Sequence, residues 1–170
     1  EHYPTIPMQW TTRNFAKWSE RSRPLHRYEM CDSEIYLRLT GILKGLGAHC
    51  DPWQTDDMIV TDLVKSAVLE DGGCLHGRDT GTILAELGDE RGPGRIVDFL
   101  LRTGPYGDAF DPGKLGLTLA KLRAEEHGID LGALRERIPQ VLMTASGNIE
   151  LAPPQLVDDL KRLREPPADS

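Results

Sequence analysis

Basic charge is in short supply in this 170-residue chain, where 20 Lys and Arg stand against 27 Asp and Glu for a formal net charge of -7. That balance repels phosphate backbones and anionic headgroups at long range, which argues against nucleic acid and membrane surfaces as partners. Cysteine is scarcer still. Cys31, Cys50 and Cys74 are an odd number, which argues against a disulfide framework and for a reducing, cytoplasmic setting. Long hydrophobic runs are absent: no stretch approaches the roughly 18 apolar residues of a bilayer-spanning helix. The N-terminus also lacks the basic and apolar zones of a secretory signal, so a soluble chain is expected. Glu1 in place of an initiating methionine points to a chain cut from a longer one. Length is not lacking. A compact domain of this size buries about 70% of the surface its unfolded chain exposes, enough for a real core.

The few aromatic residues are unevenly spread, and this sets residues 1–32 apart. Half of the ten (Tyr3, Trp10, Phe15, Trp18 and Tyr28) fall there among Arg13, Lys17, Arg21, Arg23, His26 and Arg27. The segment reads as an extended aromatic and basic arm. Within it Ile6, Met8 and Trp10 alternate with polar or proline positions, the period of two of a half-buried strand without an obvious partner. From Ser33 the spacing becomes helical, and residues 33–140 read as a helical segment. Ile35, Leu39, Ile42, Leu43 and Leu46 form one stripe, with Ser33 as the expected N-cap and Gly47 as the stop. Val60, Leu63, Val64, Ala67 and Val68 form a second, with Thr55 expected to cap and Gly72-Gly73 to stop. Shorter helices are expected at 79–87, 94–103 and 113–126, joined by glycine- and proline-rich linkers at 88–94 and 104–113. Residues 141–143 and 148–151 flank a Ser146-Gly147 turn and predict a small hairpin. Pro153-Pro154 then sets the start of a last helix with Leu156, Leu160 and Leu163 on one face. Residues 141–165 thus read as a connector, and 166–170 as a frayed tail. The expected fold class is mainly α: short glycine-stopped helices, an extended N-terminal arm and a small β-hairpin near the C-terminus.

Candidate chemistry is thin. Asp79-Thr80-Gly81-Thr82 spells the tetrad of aspartic proteases, in which two aspartates share a proton and activate water. That tetrad follows an apolar strand, whereas His76-Gly77-Arg78 precedes it here, so a helix cap is the expected role. His49-Cys50 and Cys74 with His76 offer soft metal ligands, but neither pair has the C-x2-C or H-x3-H spacing that lets two side chains reach one tetrahedral ion. Asp108 and Asp111 lie near glycines without the distributed ligands of a calcium loop and read as a turn. The stretch 88–94 is glycine-rich but lacks the lysine and preceding strand of a phosphate loop. The basic residues of the arm, and the acidic pairs Glu125-Glu126 and Asp158-Asp159, read as solvated surface. No nucleophile, base and oxyanion donor assemble locally, so no catalytic, cofactor-binding or metal-ligating residue is assigned.

Five phrases, in order, resemble the molybdopterin-dependent oxidoreductases that bind two pterin guanine dinucleotides around molybdenum or tungsten. They are HYPTIPMQWTTRNFAKWS at 2–19, DSEIYLRLTGIL at 32–43, TGPYGDAF at 103–110, LTLAKLRAEEHGIDLGAL at 117–134 and VLMTASGNIELAP at 141–153. The likeness is to the stretch just before that family's C-terminal pterin-binding domain. It departs at Ser33, where related sequences often carry tryptophan. It also contains neither the family's N-terminal cysteine cluster nor its dinucleotide-binding stretches. The resemblance therefore implies a non-catalytic scaffold segment with no cofactor of its own. Molybdopterin guanine dinucleotide, the metal and an iron-sulfur cluster would belong to the parent enzyme, whose remaining domains would be the partners. Two other readings stay open: a self-contained helical interaction module that pairs its strand edge with a partner, and a small hydrolase built on Asp79.

Overall fold

A computed structural model describes residues 13–20 and 22–164. It is mainly helical, with six helices and one two-stranded antiparallel sheet among those residues. The order is β1 (Arg13–Ala16), α1 (Asp32–Leu43), α2 (Pro52–Leu69), α3 (Thr80–Leu87), α4 (Pro93–Thr103), α5 (Leu119–Ala124), β2 (Ile129–Ala133) and α6 (Pro154–Arg164). The chain divides into two compact units between Ala133 and Leu134.

Local chemistry sets the helix ends of the first unit. Asp51 caps α2 by accepting from the Trp53 amide at 3.0 Å, and Pro52 supplies a first helical residue that needs no donor. Thr55, expected as the cap, lies inside the first turn and is fully buried. The N-cap of α1 is Cys31, without a side-chain cap bond, so Ser33 is already helical. Its stop is Gly45 rather than Gly47. With φ +81, Gly45 donates to the Ile42 carbonyl, and the Leu46 amide reaches back to Gly41, which satisfies the last free carbonyls. Asp79 caps α3 through the Thr82 amide at 2.6 Å. Thr118 caps α5 through the Lys121 amide at 3.1 Å. That cap shortens the helix expected at 113–126: Gly116 packs against Asp108, and a Cβ there would stand 2.1 Å from the Asp108 nitrogen, so 113–118 stays non-helical.

Two apolar clusters hold the unit. Val60, Val64, Leu75, Ile83, Leu87, Phe99 and Phe110 form the larger, between α2, α3 and α4. Ala16, Trp18, Leu117, Leu119 and Leu122 form the smaller, under the sheet. Burying each Val, Leu, Ile or Phe side chain among them contributes about 1.5–3 kcal/mol relative to leaving it in water. The stripe expected on α2 faces inward, whereas that of α1 does not: Leu37 and Gly41 are buried, while Leu39 is 49% and Leu43 87% exposed. Gly41 explains the orientation. A Cβ there would lie 2.5 Å from Cys50 Sγ and 2.9 Å from Thr55 Oγ1, so α1 meets α2 at contact distance through its smallest side. In α4 the buried face is carried by Arg95 and Phe99, and Leu100 of the expected stripe is exposed.

The described sheet lies where no strand was expected. Residues 6–10 lie outside the described residues, and β1 begins just after them. Its partner β2 pairs Arg13 with Ala133 and Ala16 with Ile129, with a bulge between Asn14 and Phe15. The hairpin expected at 141–151 does not form. The Ser146-Gly147 turn is present, with the Gly147 amide bonding the Thr144 carbonyl, but its flanks carry no strand. Thr144 Oγ1 donates to the Asn148 carbonyl at 2.7 Å, and the turn at 138–141 folds the preceding chain away from an extended path. The second unit contains α6, entered at Pro154 as expected. None of its described side chains over 134–162 is buried, although Leu134, Ile138, Met143, Ile149, Leu151 and Leu160 are among them.

Candidate functional site

The loop at 104–117 is tightly constructed. Ala109 and Phe110 both adopt left-handed backbone, at φ 54 and 57, a conformation costly for a bulky side chain. Several contacts hold them there. The Arg78 guanidinium donates to both the Ala109 and Phe110 carbonyls, the latter at 2.7 Å. The Phe110 amide donates to Asp108 Oδ1, which Arg102 also grips with Nε at 2.9 Å while its Nη2 takes Oδ2. The Arg102 guanidinium lies 3.8 Å from the centre of the Phe110 ring. A Cβ on Gly107 would stand 2.0 Å from the Arg102 carbonyl oxygen, so only glycine fits that crossing. Burial raises the Asp108 pKa, but the bonds from Arg102 and the Phe110 amide outweigh it and hold the carboxyl below its usual range. Beside the loop, Cys74, Arg78, Asp108, Asp111 and Lys114 line an open pocket of about 350 Å³.

A larger cleft of about 710 Å³ lies between the irregular stretch around 18–31 with the start of α1 and the start of α4, with Trp18, Trp53, Met30, Pro93 and Arg123 among its walls. Its charges are matched internally. Arg123 grips Glu90 at 2.6 Å and sits 4.9 Å from the Trp18 ring centre; Arg91 pairs with Asp57, and Arg38 with Glu34. Arg23 holds Glu29 at 2.7 Å, and that bond, with the one from the His26 amide, lowers the Glu29 pKa to about 2. Glu90, bonded by Arg123 against a smaller opposing effect of burial, is also held low. A cleft whose arginines already face carboxylates offers shape and aromatic surface more than net charge. Behind it, Arg95 bridges the buried Asp56 and the half-exposed Asp57 and ties α4 to the second turn of α2.

No family model, no curated protein and no solved structure matches the chain. The residues themselves therefore bear the whole weight of a functional reading.

The sequence candidates separate in space and role. Asp79 is an exposed helix cap, its pKa lowered by the Thr82 amide and hydroxyl. Cys50 is buried, with its thiol 3.7 Å from the Arg38 carbonyl, whereas Cys74 is exposed and lies 3.8 Å from the Thr103 carbonyl. Among the described residues no group of three or more His, Cys, Asp or Glu side chains is placed to hold a metal ion. Asp108 and Asp111 belong to the locked loop. Arg13 pairs with Asp130 at 2.9 Å, Arg27 lies over Tyr28, and Arg21 lies outside the described residues. Asp158 and Asp159 pair along α6 with Lys161 and Arg162. Asp98 was not singled out from the sequence. Burial raises its pKa, opposed by the Leu119 amide that it accepts at 2.6 Å. Nothing in its local spacing signals this, because the burial comes from α5 packing across it. Among the described residues no helix is long and apolar enough to cross a membrane.

Proposed function

We propose that this chain is a non-catalytic scaffold segment of a cytoplasmic molybdopterin-dependent oxidoreductase, a parent that performs two-electron redox chemistry at a molybdenum or tungsten pterin centre. The observation that supports a scaffold role is the second unit: its described residues carry many apolar side chains yet build no core among themselves, as suits a stretch that packs on other parts of a larger protein. The family is supported by the five ordered phrases, of which TGPYGDAF falls on the locked loop and VLMTASGNIELAP on that second unit. The described residues do not fit a pterin dinucleotide or its metal. Arg78, Arg91, Arg95, Arg102 and Arg123 already hold carbonyls or carboxylates, and no ligand cluster accompanies them. The cofactor, with the hard chemistry it carries, would reside in the remaining domains of the parent.

A self-contained helical interaction module is the second reading, favoured by the two apolar clusters that the first unit closes by itself. Sequencing the reading frame on both sides of residues 1 and 170, and measuring metal in its product, separates them. The expected result is a longer product carrying stoichiometric molybdenum or tungsten and a 170-residue chain carrying none. A frame that encodes this chain alone would overturn the parent enzyme. Stoichiometric metal in the isolated chain would overturn the scaffold role.

A further inference from the structure

The turn that leaves α2 holds the one place in the sequence where an aspartate or asparagine is followed by glycine, Asp71-Gly72. Such a pair is reactive because a backbone nitrogen with no side chain beside it can reach the carboxyl carbon of the residue before it. Here nothing restrains the approach. The Asp71 side chain is 99% exposed. A Cβ on Gly72, at φ +76, would meet no atom within 4 Å. The Gly73 amide bonds the Glu70 carbonyl at 3.0 Å, but the Gly72 amide donates to no backbone carbonyl among the described residues. Other exposed aspartates are tied down. Asp79 accepts from the Thr82 amide, and Asp130 from the Gly132 amide and Arg13. Asp111 accepts from the Gly113 amide and is followed by Pro112, which has no N–H to attack with. Asp71 instead faces His76, whose Nδ1 stands 3.7 Å from Oδ1, beyond hydrogen-bond length.

We propose that Asp71 is a site of spontaneous isoaspartate formation, with Gly72 supplying the attacking nitrogen and His76 the proton for the departing oxygen. The Gly72 nitrogen forms a bond to Asp71 Cγ. One carboxylate oxygen leaves as water, taking one proton from the Gly72 amide and one from the His76 imidazolium. A five-membered succinimide ring results. Water then opens the ring at either carbonyl: one cleavage restores Asp71, and the other routes the main chain through the side-chain carbonyl and lengthens it by a methylene. Nothing is oxidised or reduced, and no co-reactant beyond water is needed. The altered link stands between α2 and Leu75, which is 1% exposed in the larger apolar cluster, so a surface reaction changes the chain's path into the core.

The proposal does not depend on the oxidoreductase reading and is tested on the 170-residue chain, incubated warm in mildly acidic buffer over several weeks and digested with trypsin. The expected result is that the peptide spanning 66–78 divides with time into two forms of equal mass and a transient form lighter by one water, while the peptides holding Asp79, Asp111 and Asp130 stay single. Gly72→Ala should slow the conversion at least about tenfold. Alanine is strained at φ +76, so Asp71→Glu, which would have to close a larger ring, gives the same readout with the backbone untouched. His76→Gln keeps a polar side chain that cannot act as an acid, and should slow the conversion several-fold without lowering Tm. A peptide 66–78 that stays single, or that converts no faster than those holding Asp79, Asp111 and Asp130, overturns the proposal. An unchanged rate in His76→Gln overturns the part given to His76.

Discussion

Helices α1 and α2 carry stripes of equal quality and do opposite things with them. In α2 the stripe points inward, with Val60 and Val64 at 1% and 0% exposure, and a buried ion pair from Asp56 to Arg95 ties its second turn to α4. In α1 the stripe points outward, and the helix is held to α2 by Leu37 and the bare flank at Gly41. A hydrophobic stripe thus does not by itself say which way a helix faces. That depends on where the close approach happens, and here a glycine decides it.

Breaking the inward side should cost most. Arg95→Leu leaves Asp56 buried without its cation, and about 3–5 kcal/mol of stability should be lost in urea unfolding. If α2 depends on apolar packing alone, the loss will be far smaller. Gly41→Val tests the contact between the two helices. Its side chain would collide with Cys50, and overpacking of this kind costs about 1–3 kcal/mol, read as a lower Tm. Leu39→Lys tests the outward side and should change stability by no more than about 0.5 kcal/mol in urea unfolding. A large loss there would mean that the stripe packs internally after all.

The smallest effect is in pH, and two aspartates give opposite signs. The Asp108 pKa is depressed in the fold, so its contribution is complete above the ordinary carboxylate value of about 3.9 and is lost as pH falls through the depressed value. The Asp98 pKa is raised, so the fold binds its proton more tightly than the unfolded chain does. Its contribution declines as pH rises from about 3.9 through the raised value. Tm profiles between acid and neutral pH should therefore steepen at the acid end for wild type and flatten there in Asp108→Asn. Asp98→Asn, which can still accept from the Leu119 amide, should raise Tm near neutrality. A fall of Tm in that variant would mean that the charge on Asp98 is needed by Arg102 or Arg123.

Much of the helical layout was legible because it rests on local signals: the α2 stripe, the Asp79 cap, the start of α6 at Pro154. The missed cap at Asp51 was legible too, since Asp followed by Pro is a start signal, but Thr55 stood closer to the first apolar residue of the stripe and drew the reading. The sheet was not legible. Strand β2 alternates over five residues only, and the bulge at Asn14 and Phe15 breaks the period of β1. The locked loop was visible as a phrase, TGPYGDAF, yet nothing in it announces that Arg78, from a different segment, holds its carbonyls. The outward turn of α1 was invisible for the same reason, because it is set by Cys50 and Thr55 across the gap from Gly41.

The pairing of Arg13 with Ala133 works like the clasp of a necklace. The string of residues between them leaves and returns at one spot, so a host sequence could take up the whole bead without stretching at either splice. Cutting the string elsewhere, as in a permuted chain reopened near Asp89, would leave the clasp shut and the bead whole.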